Sequence, residues 1–243
     1  MASLLSKGGE LVFMHRIHRE KRLALLVAAI FFISSCAGLR IFSGAQSEFD
    51  QGLTLFNGGS YDAAIPYFQR ATEIDPDYAR AYLYLGRSYL NLTRWRKAVP
   101  PLRTAFRLSP DETKSEFLNL LVDALFSAAI TDLKLGNFNS SVGYFKEVLQ
   151  LEPKSSRARN EIGGALIAHG RELLSKGDVS GAVSAFTEAT RFSPSNLEAT
   201  LGLARAFFMN GDFQKAAQAA LDAMRVDPTN LEAKSFFRDL QRR

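Results

Sequence analysis

An all-α array of stacked helix pairs is the fold that this 243-residue sequence predicts. Three observations carry the prediction. Five prolines, Pro76, Pro110, Pro153, Pro194 and Pro228, recur at spacings of 34, 43, 41 and 34 residues. Compact side chains recur five and twelve positions before each proline, and mostly aromatic ones eight and fifteen before. Glycine stands seventeen positions before the proline in four of the five units. A unit of this length cannot bury its own apolar face, so units bearing one signature stack on their neighbours.

Each position has a physical task. Ala64, Ala98, Ser141, Ala182 and Ala216, with Ala71, Ala105, Val148, Ala189 and Ala223, let the two helices of a unit approach closely. Gly52, Gly86, Ala129, Gly170 and Ala204 do the same from the first helix. Phe68, Leu102, Phe145 and Phe186, and then Tyr61, Trp95, Phe138, Val179 and Phe213, fill the space between a unit and its neighbour. Gly59, Gly136, Gly177 and Gly211 close the turn between helices, and each proline stops the second helix running on.

The units then run over about residues 45–78, 79–112, 113–155, 156–196 and 197–228. Units three and four are longer by nine and seven residues, all before the turn glycine. Ser109-Pro110-Asp111-Glu112 has the form of a capping box, which predicts a helix to about Leu135; the next runs from Ser155 to about Lys176. Two neighbouring helices about two turns too long predict either a projecting ridge or turns that fill space within the stack. Pro66 and Pro100-Pro101 fall inside second helices and predict a bend or a late start. Residues 229–243 predict a final helix, apolar at Leu231, Phe236, Phe237 and Leu240, that caps the open end.

This pattern resembles the tetratricopeptide repeat, in five copies over residues 48–228, about three quarters of the chain. The resemblance implies a right-handed α-solenoid whose first helices line a concave groove for an extended or helical partner segment. The matching positions are Phe49, Leu53 and Phe56; Leu83, Arg87 and Leu90; Phe126, Ile130 and Leu133; Ile167, Arg171 and Leu174; and Leu201, Arg205 and Phe208. Three units place an arginine at the same site. Such a ladder can grip partner carboxylates in bidentate fashion or can pair with acids of its own chain. The lysine-and-asparagine clamp with which chaperone-binding members hold a terminal carboxylate is absent.

The net charge of +5 is unevenly placed. Residues 1–35 hold five basic and two acidic side chains, whereas residues 36–243 hold 25 and 23. The basic group adjoins one apolar run, Leu23 to Ile33, whose eleven residues would span about 16 Å as a helix, short of a bilayer core of roughly 30 Å. A basic start, a short apolar run and then small residues form the pattern of a secretory signal peptide. Ile33-Ser34-Ser35-Cys36 resembles the bacterial lipobox, which implies cleavage before Cys36 and its lipidation, with residues 36–47 as lipidated terminus and linker. Acyl chains contribute about 0.8 kcal/mol per buried methylene, so more than one chain makes a stable anchor. Ala37, in place of aspartate, implies the outer membrane, facing the periplasm. The alternatives are an uncleaved anchor in the inner membrane or a hydrophobic tail left in the cytoplasm. Twenty-two residues before the apolar run is long for such a signal, so Met14 is the expected true start.

A lone cysteine excludes an internal disulfide and a cysteine-cluster zinc site. No Ser-His-Asp set, glycine-rich phosphate loop or His-Glu-x-x-His motif occurs, so no catalysis, metal, cofactor or small-molecule substrate is expected. His169, beside Gly170, reads as a packing residue. Arg94-Trp95-Arg96-Lys97 is the only basic cluster after Cys36, and Trp95 fills the aromatic repeat site. Three charges at one turn do not make a nucleic-acid groove. The expectation is a lipid-tethered scaffold that binds a protein or peptide partner in the cell envelope, in assembly, pilus, secretion or polysaccharide export. The alternative is an inner-membrane regulatory adaptor.

Overall fold

The computed structural model describes residues 44–242, all helices and turns, so Cys36, the signal-like segment 1–35 and the start of the linker lie outside the described residues. The chain forms two compact units that meet between Ser88 and Tyr89.

The first unit holds α1 (44–57), α2 (Tyr61–Ile74) and most of α3 (Ala79–Asn91). Its core is aromatic: Phe49 lies 5.6 Å from Phe68, 5.1 Å from Tyr78 and 5.4 Å from Tyr84 between ring centroids. A Cβ on Gly52 would come within 2.8 Å of the Phe68 ring, which is why glycine stands there. Residues 44–47, expected in the linker, are helical instead. Ala45 is buried, and the Tyr78 hydroxyl donates to Gln46 Oε1 at 2.7 Å, so this turn is fixed from both sides.

The second unit continues with α4 (Trp95–Leu108), α5 (Lys114–Lys134), α6 (Phe138–Leu151), α7 (Ser156–Ser175), α8 (Val179–Phe192), α9 (Leu197–Met209), α10 (Phe213–Val226) and α11 (Leu231–Gln241). From α4 onward each helix packs on the one before it, and α7 also packs on α9, so first helices line up beside first helices. Phe186 shows how the repeat residues work. Its ring sits so close to α7 and α9 that a Cβ on Gly170 or Gly202 would lie 2.8 or 2.3 Å from it.

All five interhelical turns share one hydrogen-bond pattern. In the first, Gly59 N donates to Phe56 O at 3.0 Å and Ser60 N to Leu55 O at 2.9 Å. Such a turn needs a left-handed residue at its centre. Gly59, Gly136, Gly177 and Gly211 supply it with φ of 74°, 75°, 80° and 82°. The unit without a glycine uses Thr93, at φ 55°, and closes the same bonds to Leu90 O and from Arg94 to Tyr89 O at 2.9 Å each.

Four sequence expectations need correction. First, α2 and α4 do not start late: Pro66 and Pro100 each stand sixth within the helix. Both are exposed, as are Asp62 and Arg96 four residues earlier, so water can take the place of the missing donor. Second, Ser109–Glu112 is not the cap of α5. Ser109 Oγ turns back to donate to Phe106 O at 2.8 Å, residues 111–113 form a turn, and the helix starts after Thr113. Third, the added turns of α5 and α7 do not stand clear as a ridge. Phe117 and Leu121 on α5 and Ala158 and Ile162 on α7 are buried, and the Arg157 guanidinium lies 4.3 Å from the Phe126 ring. Fourth, Leu231 is 79% exposed; the apolar side of α11 is made by Ala233 and Leu240, with Phe236 and Phe237 packed on Ala204, Ala219 and Ala220. Thirty-four residues on from the buried Thr200 and Ala204 stand Lys234 and Arg238, so α11 does not offer a following helix the small-residue surface that α9 offers α10.

Candidate functional site

The groove positions on the later first helices meet at a cleft of about 630 Å³ bordered by α7, α9 and the start of α11. Its floor is apolar, with Leu174 and Leu197 half-buried and Leu201 and Phe186 deeper. Its polar rim repeats once. The Arg171 guanidinium pairs with Glu198 and the Arg205 guanidinium with Glu232, all four side chains being about half exposed or more. Both glutamates follow an N-cap asparagine: Asn196 Oδ1 accepts from Ala199 N at 3.0 Å, and Asn230 Oδ1 from Ala233 N at 2.8 Å. A carboxylate in the first turn also complements the positive end of its helix. Exposed pairs of this kind contribute roughly 0–1 kcal/mol each, so a ligand can displace them at small cost.

Of the two uses open to the arginine ladder, Arg171 and Arg205 therefore follow the second, since both hold acids of their own chain. Arg87 is held differently, with its guanidinium 5.4 Å from the centroid of Phe56 and 5.0 Å from that of Tyr84. Other expected groove positions are packing residues. Phe49, Leu83 and Phe126 are 1%, 4% and 6% exposed and offer a partner little surface, as does Ile167. Each faces the neighbouring helix rather than the groove; Phe126, for instance, lies 5.5 Å from Phe145. Leu53, Phe56, Leu90, Ile130 and Leu133 are half-buried. Phe208 is half-buried too, between Phe213 and Phe236 at 5.6 Å each, outside the lining of the cleft.

Sequence reasoning missed Glu198 and Glu232. Their signal was present: Asn-Leu-Glu-Ala occurs at 196–199 and again at 230–233, and each glutamate stands 27 residues after a groove arginine.

Charged groups elsewhere join successive second helices. Arg103 grips Glu147 with two parallel bonds of 2.8 Å, and Lys146 meets Glu188 at 2.7 Å. Arg96, from the basic cluster, lies 3.4 Å from the buried Asp132, which also accepts from Asn137 Nδ2 at 3.1 Å. His169 lies half-buried and flat on Phe138, with centroids 5.3 Å apart and planes 20° apart. Among the described residues no group of three His, Cys, Asp or Glu side chains could hold a metal, and no helix is long and apolar enough to cross a membrane.

Helix pairs repeated with one packing signature, joined by one turn geometry and bordering an open cleft, define a helical-repeat protein built for contact with other proteins. Residues 167–230 match the family model described as Tetratricopeptide repeat, and residues 52–92 the one described as TPR repeat. The chain is a tetratricopeptide-repeat protein. Both matched models describe this repeat, a scaffold for protein–protein interaction, and neither describes a catalyst. A TPR-repeats protein of Bacteroides fragilis NCTC 9343 has a similar fold, with a TM-score of 0.56 at 12% identity over 82% of this chain and 98% of its own. Among curated proteins, the chain is 23% identical over 57% of its length to the mitochondrial ALBINO3-like protein 3 of Arabidopsis thaliana. It is 24% identical over 47% of its length to the peroxisomal targeting signal receptor of Saccharomyces cerevisiae (strain ATCC 204508 / S288c). The chain spans only 25% and 18% of the lengths of these two relatives.

Proposed function

We propose that this protein is a membrane-tethered scaffold lipoprotein of the bacterial cell envelope, whose cleft between α7, α9 and α11 holds a segment of a partner protein. The observation that carries the binding half is the cleft itself: an apolar floor ringed by exposed, weakly held ion pairs, on a repeat frame that keeps its shape without the partner. The yeast relative is by its name a receptor for a targeting signal, a use of the same repeat in which a peptide is the ligand. The tether rests on Ile33-Ser34-Ser35-Cys36 after the apolar run, with acyl chains on Cys36 holding the repeats at the outer membrane, facing the periplasm. The repeats act by presenting and positioning the partner, and no chemical step is assigned to them.

Two measurements test this. The intact mass of the protein extracted from membranes should correspond to residues 36–243 plus diacylglyceryl and acyl groups; a full-length, unmodified chain overturns the tether. Arg171→Glu together with Arg205→Glu sets carboxylate against Glu198 and Glu232, and should weaken partner capture without changing helicity. Unchanged capture overturns the role of the cleft.

A further inference from the structure

We propose that Glu198 and Glu232 are specificity-determining residues, which close the arginine ladder to acidic segments and leave the cleft to a partner segment that is apolar and without net negative charge. The proposal rests on the reading of the cleft as the partner site. An arginine exposed at the same place in successive units would attract carboxylates, since the guanidinium presents a fork of donors that a carboxylate fits. Here each fork is filled from within the chain. Arg171 and Arg205 hold Glu198 and Glu232, and the four charges around the Leu174, Leu197 and Leu201 floor sum to zero.

An acidic segment entering this cleft must expel a glutamate from its arginine and then lie beside that glutamate. A neutral segment meets neither obstacle, and its apolar side chains gain from the floor. The pairs are built into the repeat rather than fortuitous. Each glutamate is placed by an asparagine N-cap at the start of its helix, and the arginine-to-glutamate spacing is 27 residues in both cases. The 27-residue step from Arg87 reaches Lys114, so the acid is specific to the two arginines that border this cleft.

The test uses the repeat-bearing chain and two fluorescein-labelled probes of equal length, five Gln-Leu dipeptides and five Glu-Leu dipeptides, at low ionic strength, where surface charge acts most strongly. The parent protein should bind the Gln-Leu probe more tightly by about tenfold, the product of two pair-sized terms. In Glu198→Gln/Glu232→Gln, which retains both side-chain volumes and both asparagine caps, the preference should vanish or reverse in favour of the Glu-Leu probe. A parent protein that prefers the Glu-Leu probe, or a double variant whose preference is unchanged, overturns the specificity assignment while leaving the cleft as a binding site. If neither protein binds either probe, the cleft reading falls and takes the assignment with it. Matching melting curves for the two proteins confine any change to recognition.

Discussion

Thr93→Gly should stabilise the protein, although it removes a β-branched side chain from a folded helix terminus. Thr93 is the one residue other than glycine with positive φ among the described residues, 55° against 74–82° for the four turn glycines. Its turn is otherwise complete, with both bonds at 2.9 Å, so nothing compensates for the backbone itself. The left-handed conformation costs about 1–2 kcal/mol for a residue with a Cβ, and a β-branched residue lies towards the upper end. Glycine returns about 0.5–1 kcal/mol of this through its greater freedom in the unfolded chain. The expected net gain is about 0.5–1 kcal/mol, or roughly 1–4 °C in melting temperature for a unit of this size. Urea unfolding followed by circular dichroism reads the change as a shift in midpoint. Gly136→Ala, at the same turn position with φ 75°, should shift it the other way. A lower midpoint for Thr93→Gly, or shifts of the same sign in both variants, would refute the reasoning.

Other substitutions test the packing and the charges separately. Ser141 Oγ is buried without a hydrogen-bond partner at a position where three other units carry alanine, so Ser141→Ala should stabilise by about 1 kcal/mol; Ser88→Ala, where the hydroxyl donates to Tyr84 O at 2.8 Å, should not stabilise. Gly202→Ala places a Cβ 2.3 Å from the Phe186 ring and should destabilise by about 1–3 kcal/mol in thermal melts. The hydroxyl and amide of Thr229 hold the Asp227 carboxyl below its ordinary value. That group adds stability above the ordinary carboxylate range and loses it as pH falls through the lowered pKa, so Asp227→Asn should flatten the acid limb of the pH–stability profile.

Positions that depend on one repeat alone were legible in the sequence. The alanines at 64, 98, 182 and 216 are fully buried, and Phe68, Phe145 and Phe186 fill the spaces beside them, because a periodic pattern reports which face is inward. What escaped depends on the offset between one first helix and the next. Arg171 and Glu198 meet because the start of α9 lies beside the last turns of α7, an arrangement that no single repeat encodes. The same offset buries Phe126 under Arg157 and turns an expected groove residue into core. Proline rules misled at Pro66 and Pro100 because they assume that a missing donor must be replaced within the protein, whereas these faces are open to water. Leu231 escaped because an amphipathic pattern marks an apolar face whether or not a neighbour covers it.

Site-specific photocross-linking tests the central claim most directly. A photoreactive residue at Leu174 or Leu197, on the cleft floor, is compared with one at Arg225, beside α8 on a separate hollow. The account predicts that the two cleft positions form the same partner adduct, that Arg171→Glu/Arg205→Glu removes it, and that position 225 does not form it. An adduct from position 225 with none from the cleft, or cleft adducts that survive the double charge reversal, would contradict it.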